Sequence, residues 1–148
     1  MQIVRVVELP AGKMVESGCA MFGQGPLERF SQWMSAQPLD LCPQDFLWYD
    51  QRRGGFVWHY YYRPGMDVPE DFDLVEFPGG LYAVVTDIDG QSDDPQRQAV
   101  ADFLAAHPAF ARDEARPELG NVITPPAAQS ALGYGQMNYY TPIKLAED

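Results

Sequence analysis

Val7-Glu8-Leu9-Pro10-Ala11-Gly12 returns as Val75-Glu76-Phe77-Pro78-Gly79-Gly80, at an offset of 68 residues, and this echo sets the reading of the fold. Each copy runs into a short apolar piece of strand character, residues 13–15 or 81–85. A small polar loop containing glycine follows, then a helix that opens on proline. The spacing predicts the first helix over 26–36. Gly25 takes the N-cap and Pro26 the N1 position, where a missing N–H costs nothing. Leu27, Phe30, Trp33 and Met34 supply its apolar stripe. The second helix is predicted over 95–106, with Asp94 as N-cap, a stripe of Ala99, Val100, Phe103 and Leu104, and a stop at His107-Pro108.

Extended segments follow each helix. Residues 45–50 and 56–62 are joined by a five-residue loop containing Gly54 and Gly55, which reads as a hairpin. In the second half the last strand is expected over 136–144. Residues 112–135 are rich in Pro, Ala and Gly, and 121–124 is their best strand candidate. The unit is therefore strand, helix, strand, strand, used twice over about 1–65 and 70–148. With no linker between the copies, the expectation is one α+β domain over 1–148. It has an antiparallel sheet, two main helices on one face and a pseudo-two-fold axis. Pro10 and Pro78 should stand at equivalent bends or bulges, because proline cannot donate to a central ladder.

A chain of 148 residues with 46% hydrophobic and 21% charged side chains buries a core without disulfides or metals. Ten basic against 21 acidic residues leave a net charge of -11. That charge suits the phosphate backbone poorly, so no direct nucleic-acid binding is expected. The longest apolar runs are a few residues, so no membrane span is expected. The N-terminus lacks a charged-then-apolar signal layout. Cys19 and Cys42 read as reduced thiols of a cytoplasmic protein.

Conventional catalytic signals are scarce. Gly23-x-Gly25 leads to Glu28, which lacks the third glycine of a dinucleotide loop and would repel phosphate. In Asp87-Ile88-Asp89-Gly90 the glycine comes too early for a calcium loop, and position twelve falls on Gln98. His59 and His107 lie in different elements, so no metal and no cofactor are expected. His107 reads as a helix C-terminal residue near the dipole. A binding module is favoured over an enzyme.

The informative stretch is aromatic. Residues 46–62 hold eight of the 19 aromatic side chains, and residues 67–94 hold nine of the 21 acids with no Lys or Arg. A hairpin packed on the core and a solvated acidic rim account for these features in structural terms. The functional alternative is a ligand surface. Alternation puts Phe46 and Trp48 on one face of their strand, and Phe56, Trp58, Tyr60 and Tyr62 on one face of the next. Ring faces attract flat and cationic ligands.

Residues 75–85, Val-Glu-Phe-Pro-Gly-Gly-Leu-Tyr-Ala-Val-Val, resemble the central Pro-Gly-Gly-x-Tyr-Ala-Val motif of the gyrase-inhibitor-like (GyrI-like) small-molecule-binding domains, also known as AraC-type effector-binding domains. Tyr139-Tyr140-Thr141-Pro142-Ile143 resembles that family's closing Tyr-x-Pro-Ile strand. The opening 7–12 and the Trp33 helix fit as well, and the likeness is weakest over 110–135. The resemblance implies two strand-helix-strand-strand repeats with a ligand cleft between them. It also implies bulky aromatic ligands, often cations, and membership among transcription sensors, gyrase inhibitors or hydrolases of cyclopropane-bearing compounds. The family often carries a buried Glu four residues before the closing proline; Asn138 stands there in this chain, and Glu28, Asp45 and Asp50 are the carboxylates able to substitute.

The expected ligand-binding residues are Trp33, Trp48, Trp58, Tyr60, Asn138 and Tyr140, with no catalytic residue among them. The expected partner is a small aromatic or amphipathic molecule, held by a stand-alone regulator or sequestering protein. An inhibitor that touches a protein partner, and a small hydrolase, are the competing classes.

Overall fold

The computed structural model describes residues 3–38, 45–90 and 94–147; Cys42 lies outside them. The chain divides into two compact units, one of residues 10–79 and one of residues 1–9 with 80–148. Both are built from antiparallel strands and helices, the α+β class expected.

In the 10–79 unit the order is β2 (Gly12–Ala20), α1 (Gly25–Ser35), β3 (Asp45–Asp50), β4 (Gly55–Tyr61) and β5 (Asp73–Phe77). The strands lie in the order β3-β4-β2-β5. β2 runs well past the apolar 13–15 piece, because a bulge lets its polar half stay in the ladder. The register shifts between Glu16 and Cys19, and Gly18 takes a φ of 85°, which glycine adopts without a Cβ clash. The Ser17 hydroxyl fills the gap by accepting from the Trp58 N–H at 2.9 Å and donating to the Gly18 carbonyl at 2.7 Å. α1 starts one residue earlier than predicted, capped by the backbone of Gln24 with Pro26 in its first turn. It buries Leu27 and Phe30, and Phe30 packs with Val15, Tyr60 and Phe72.

The second unit contains β1 (Arg5–Leu9), β6 (Gly80–Ile88), α2 (Asp94–Ala106), β7 (Phe110–Arg112), β8 (Leu119–Val122), α3 (Pro126–Leu132) and β9 (Gln136–Leu145). Its strands lie in the order β1-β6-β9-β8, with β7 paired to the end of β9. α2 packs Val100 against Ala83, Val85 and Ile143. The predicted 121–124 strand is β8, two residues earlier. The helix α3 has no counterpart in the expectation. Pro126 opens it and Gly133, at a φ of 83°, closes it, the usual proline-start and glycine-stop pair.

The two units share one strand plan, β5-β2-β4-β3 and β1-β6-β9-β8. The first strand of each sequence repeat joins the other unit: β1 pairs with β6, and β5 with β2. Pro10 and Pro78 accordingly fall between strands, not within one. They mark the two places where the chain passes from one unit to the other, where no ladder N–H is required.

Candidate functional site

Pairing register decides which rings share a face. Directly opposed residues of an antiparallel pair project to the same side. In β3 and β4 the pairs Asp45↔Tyr60 and Leu47↔Trp58 face one way, and Phe46↔His59 and Trp48↔Val57 the other. The Val15↔Tyr60 pair puts the first set on the side that α1 covers. Trp48 therefore lies on the opposite face from Trp58 and Tyr60.

On the α1 face the structure brings Trp33, Trp58 and Tyr60 together. Trp33 meets Tyr60 edge-on at 5.6 Å and Phe30 at 5.4 Å, and Phe30 lies 6.2 Å from Trp58. The half-buried Trp58 indole donates to the Asp45 Oδ2 at 3.1 Å, and the Trp33 indole to the Asp67 carbonyl at 3.0 Å. Burial pushes the Asp45 carboxyl above the usual Asp range, while the Trp58 bond pulls the other way. Met34, Tyr62, Met66 and Val68 pack around these rings, partly exposed. Of the three substitute carboxylates, Asp45 is the one set beside these rings. Glu28 is exposed on α1, and Asp50 is engaged elsewhere.

The opposite face of the same strands carries a buried polar cluster. His59 Nε2 lies 2.9 Å from Glu16 Oε2. The Arg53 guanidinium bonds both Glu16 at 3.1 Å and Asp50 at 2.5 Å. The His59 bond, with help from Arg53, holds the Glu16 carboxyl below its ordinary range against the opposing effect of burial. Glu16 is thus a carboxylate, and the Nε2–H of His59 donates to it. Trp48 packs against His59 at 6.0 Å. Among the described residues the buried Trp48 Nε1 and His59 Nδ1 have no hydrogen-bond partner.

Asn138 and Tyr140 belong to the other unit, on one face of β9. Asn138 Oδ1 accepts from Arg5 at 3.1 Å and from the Thr86 hydroxyl at 2.6 Å, and its Nδ2 faces the Tyr140 hydroxyl at 3.3 Å. The Arg5 guanidinium therefore already sits beside Asn138. An Asn138→Glu carboxylate would pair with that guanidinium before it met a ligand.

No protein-family model and no curated protein matches the chain by sequence. Solved structures share its fold. The EcmrR C-terminal domain matches with a TM-score of 0.65 at 8% identity, over 99% of each chain. SAV2435 bound to tetraphenylphosphonium matches at 0.53 and 10% identity, over 96% of this chain and 94% of that one. A hydrolase from Listeria innocua matches at 0.62 and 11% identity, over 95% and 91%. At such identities the likeness is one of fold, and it is the two-repeat α+β fold that the GyrI-like resemblance implied.

Proposed function

We propose that this protein binds small aromatic or amphipathic molecules, cations among them, on the Trp33–Trp58–Tyr60 face of the 10–79 unit, and acts as a sensor or sequestering protein. The observation that carries this reading is Asp45: a half-buried carboxylate bonded to an indole at the edge of a ring cluster. Ring faces and a desolvated carboxylate are the two groups that recognise an organic cation. The segment 62–72 lies over these rings, contributing Tyr62, Met66, Val68 and Phe72. Its Met66 repacks at low cost when a ligand enters. The tetraphenylphosphonium held by SAV2435 on the same fold is a suitable probe.

Titrated with that cation, the protein should lose tryptophan fluorescence. Asp45→Asn keeps an acceptor for the Trp58 indole and removes the charge, and should weaken the cation roughly tenfold, about 1.4 kcal/mol. A neutral tetraphenyl analogue should bind both forms alike. Because burial raises the Asp45 pKa, its charged form is disfavoured in the fold. Cation affinity should therefore rise with pH through a range above 3.8, its ordinary value, and stay flat in Asp45→Asn. Equal cation affinity in the two proteins rejects the assignment of Asp45.

A hydrolytic role is the second reading, favoured by the Glu16–His59 pair. An imidazole whose Nε2–H is held by a carboxylate keeps Nδ1 as its basic atom; among the described residues that buried atom has no partner, and the reading requires a substrate to reach it. Turnover of an activated aryl ester should then fall at least a hundredfold in His59→Gln. Turnover unchanged in that variant removes the reading.

A further inference from the structure

The α1 side of the β3–β4 hairpin continues past Trp58. Asp45↔Tyr60, Leu47↔Trp58 and Tyr49↔Phe56 are successive pairs on one face. A single row therefore runs from the Asp45 carboxylate over Leu47 and Trp58 to Tyr49 and Phe56. At its far end Phe22, just past β2, lies 4.6 Å from Phe56, and Tyr49 meets Phe56 edge-on at 5.2 Å. Phe22 is 55% exposed and Tyr49 48%, and Met21, next to Phe22 in the chain, is 45% exposed. Single exposed apolar side chains are ordinary, but two exposed rings gathered on a third make a contiguous patch, and such patches mark binding surfaces. The row carries acid at one end only. Asp45 holds the near end, and the far end runs into the turn that bears the exposed Arg52.

We infer that Phe22, Tyr49 and Phe56 form a distal subsite for the unbranched alkyl tail of a linear cationic amphipath whose head group sits at Asp45. This rests on the Asp45 reading and adds to it a ligand shape and a ligand length. The head is drawn to the carboxylate and kept from the Arg52 end, which fixes the direction. Four residue steps along β3, at about 3.3 Å each, separate Asp45 from Tyr49 by roughly 13 Å. An extended alkyl chain, with C–C bonds of about 1.5 Å, advances roughly 1.3 Å per bond, so about ten carbons fill the row. An apolar protein surface laid along the same row would cover the Asp45 carboxylate without a counter-charge, which is costly.

The test is isothermal titration of the full chain with alkyltrimethylammonium ions from butyl to dodecyl, each below its micelle concentration. Affinity should rise about two- to threefold per methylene and level off near decyl. A continued, undiminished rise through dodecyl overturns the inference, and that outcome needs no variant. Phe22→Ser combined with Tyr49→Ser replaces two exposed side chains and should fold. It should weaken decyltrimethylammonium about tenfold or more and leave butyltrimethylammonium within about twofold. Equal decyl affinity in wild type and the double variant overturns the distal subsite, whatever Asp45 does. A wild-type dimer that the double variant dissolves into monomers also overturns it, since the rings would then serve a second copy. Uncharged n-decyl glucoside separates the two readings. If it binds as tightly as decyltrimethylammonium and Asp45→Asn changes neither, the Asp45 reading fails, while a loss of both in the double variant still supports the tail subsite.

Discussion

Phe30→Ala is expected to be among the most damaging single substitutions in the 10–79 unit. Phe30 has no solvent exposure and touches three other rings, Trp33, Trp58 and Phe72, at centroid separations of 5.0 to 6.2 Å. Truncation removes the transfer free energy of the benzyl group and leaves a cavity whose walls are large, stiff rings that collapse poorly. The loss should be about 3–5 kcal/mol. For a chain of this length that corresponds to a fall in Tm of roughly 6–20 °C, measurable by circular dichroism. Phe30→Leu, which keeps most of the volume, should lose markedly less. A Tm within a degree or two of wild type in Phe30→Ala would mean that the rings are loosely assembled. The ligand face proposed above would then have no rigid support.

Glu16→Ala should also be costly, for an electrostatic reason. Glu16 and His59 are each 10% exposed at the side chain, whereas Arg53 is 39% exposed. Removing the carboxylate strands the buried imidazole and deprives the guanidinium of one of its two acceptors. Breaking a buried ion pair costs about 3–5 kcal/mol, and the lower end applies here because water reaches and screens Arg53. The pH dependence has a definite sign. His59 and Arg53 hold the folded-state pKa of Glu16 below its ordinary value of 4.5. The stabilisation is therefore present above pH 4.5 and lost as pH falls through the lower folded-state value. Urea melts should show the gap between wild type and Glu16→Ala widest above pH 5 and closing under acid. A gap that is constant from pH 7 to pH 3 would show that Glu16 contributes packing rather than charge.

The glycine bulge in β2 connects these two sites. It shifts register between Glu16 and Cys19 and lets Ser17 take the Trp58 N–H. A side chain at Gly18 would have to adopt a φ of 85°, so the bulge holds the strand that supplies both Val15 to the ring face and Glu16 to the polar face.

Local chemistry was enough to find α1, α2 and the β3–β4 hairpin. Proline at the first turn and an apolar stripe at helical spacing located α1 and α2. Two glycines between extended runs located the β3–β4 hairpin, and the 68-residue echo announced the repeat. These features depend on neighbours within a few residues, so the amino-acid sequence carries them outright. It also carried the composition of the Trp33–Trp58–Tyr60 face, since residues two apart on a strand share a side. Other features depend on partners far away in the chain. Trp48 is parted from Trp58 by the register of β3 on β4, because a step of one residue moves a side chain to the other face, and alternation within each strand says nothing of the offset between them. The pairing of β1 with β6 and of β5 with β2 rests on strands more than fifty residues apart. Asp45 was one of three candidate carboxylates in the sequence, and the pairing of β3 with β4, which sets Trp58 beside it, singles it out. Gln96 is outside the predicted α2 stripe, although it stands one helical turn before Val100. Its burial, and its lack of a side-chain hydrogen-bond partner among the described residues, depend on what surrounds it, and only the folded unit decides that.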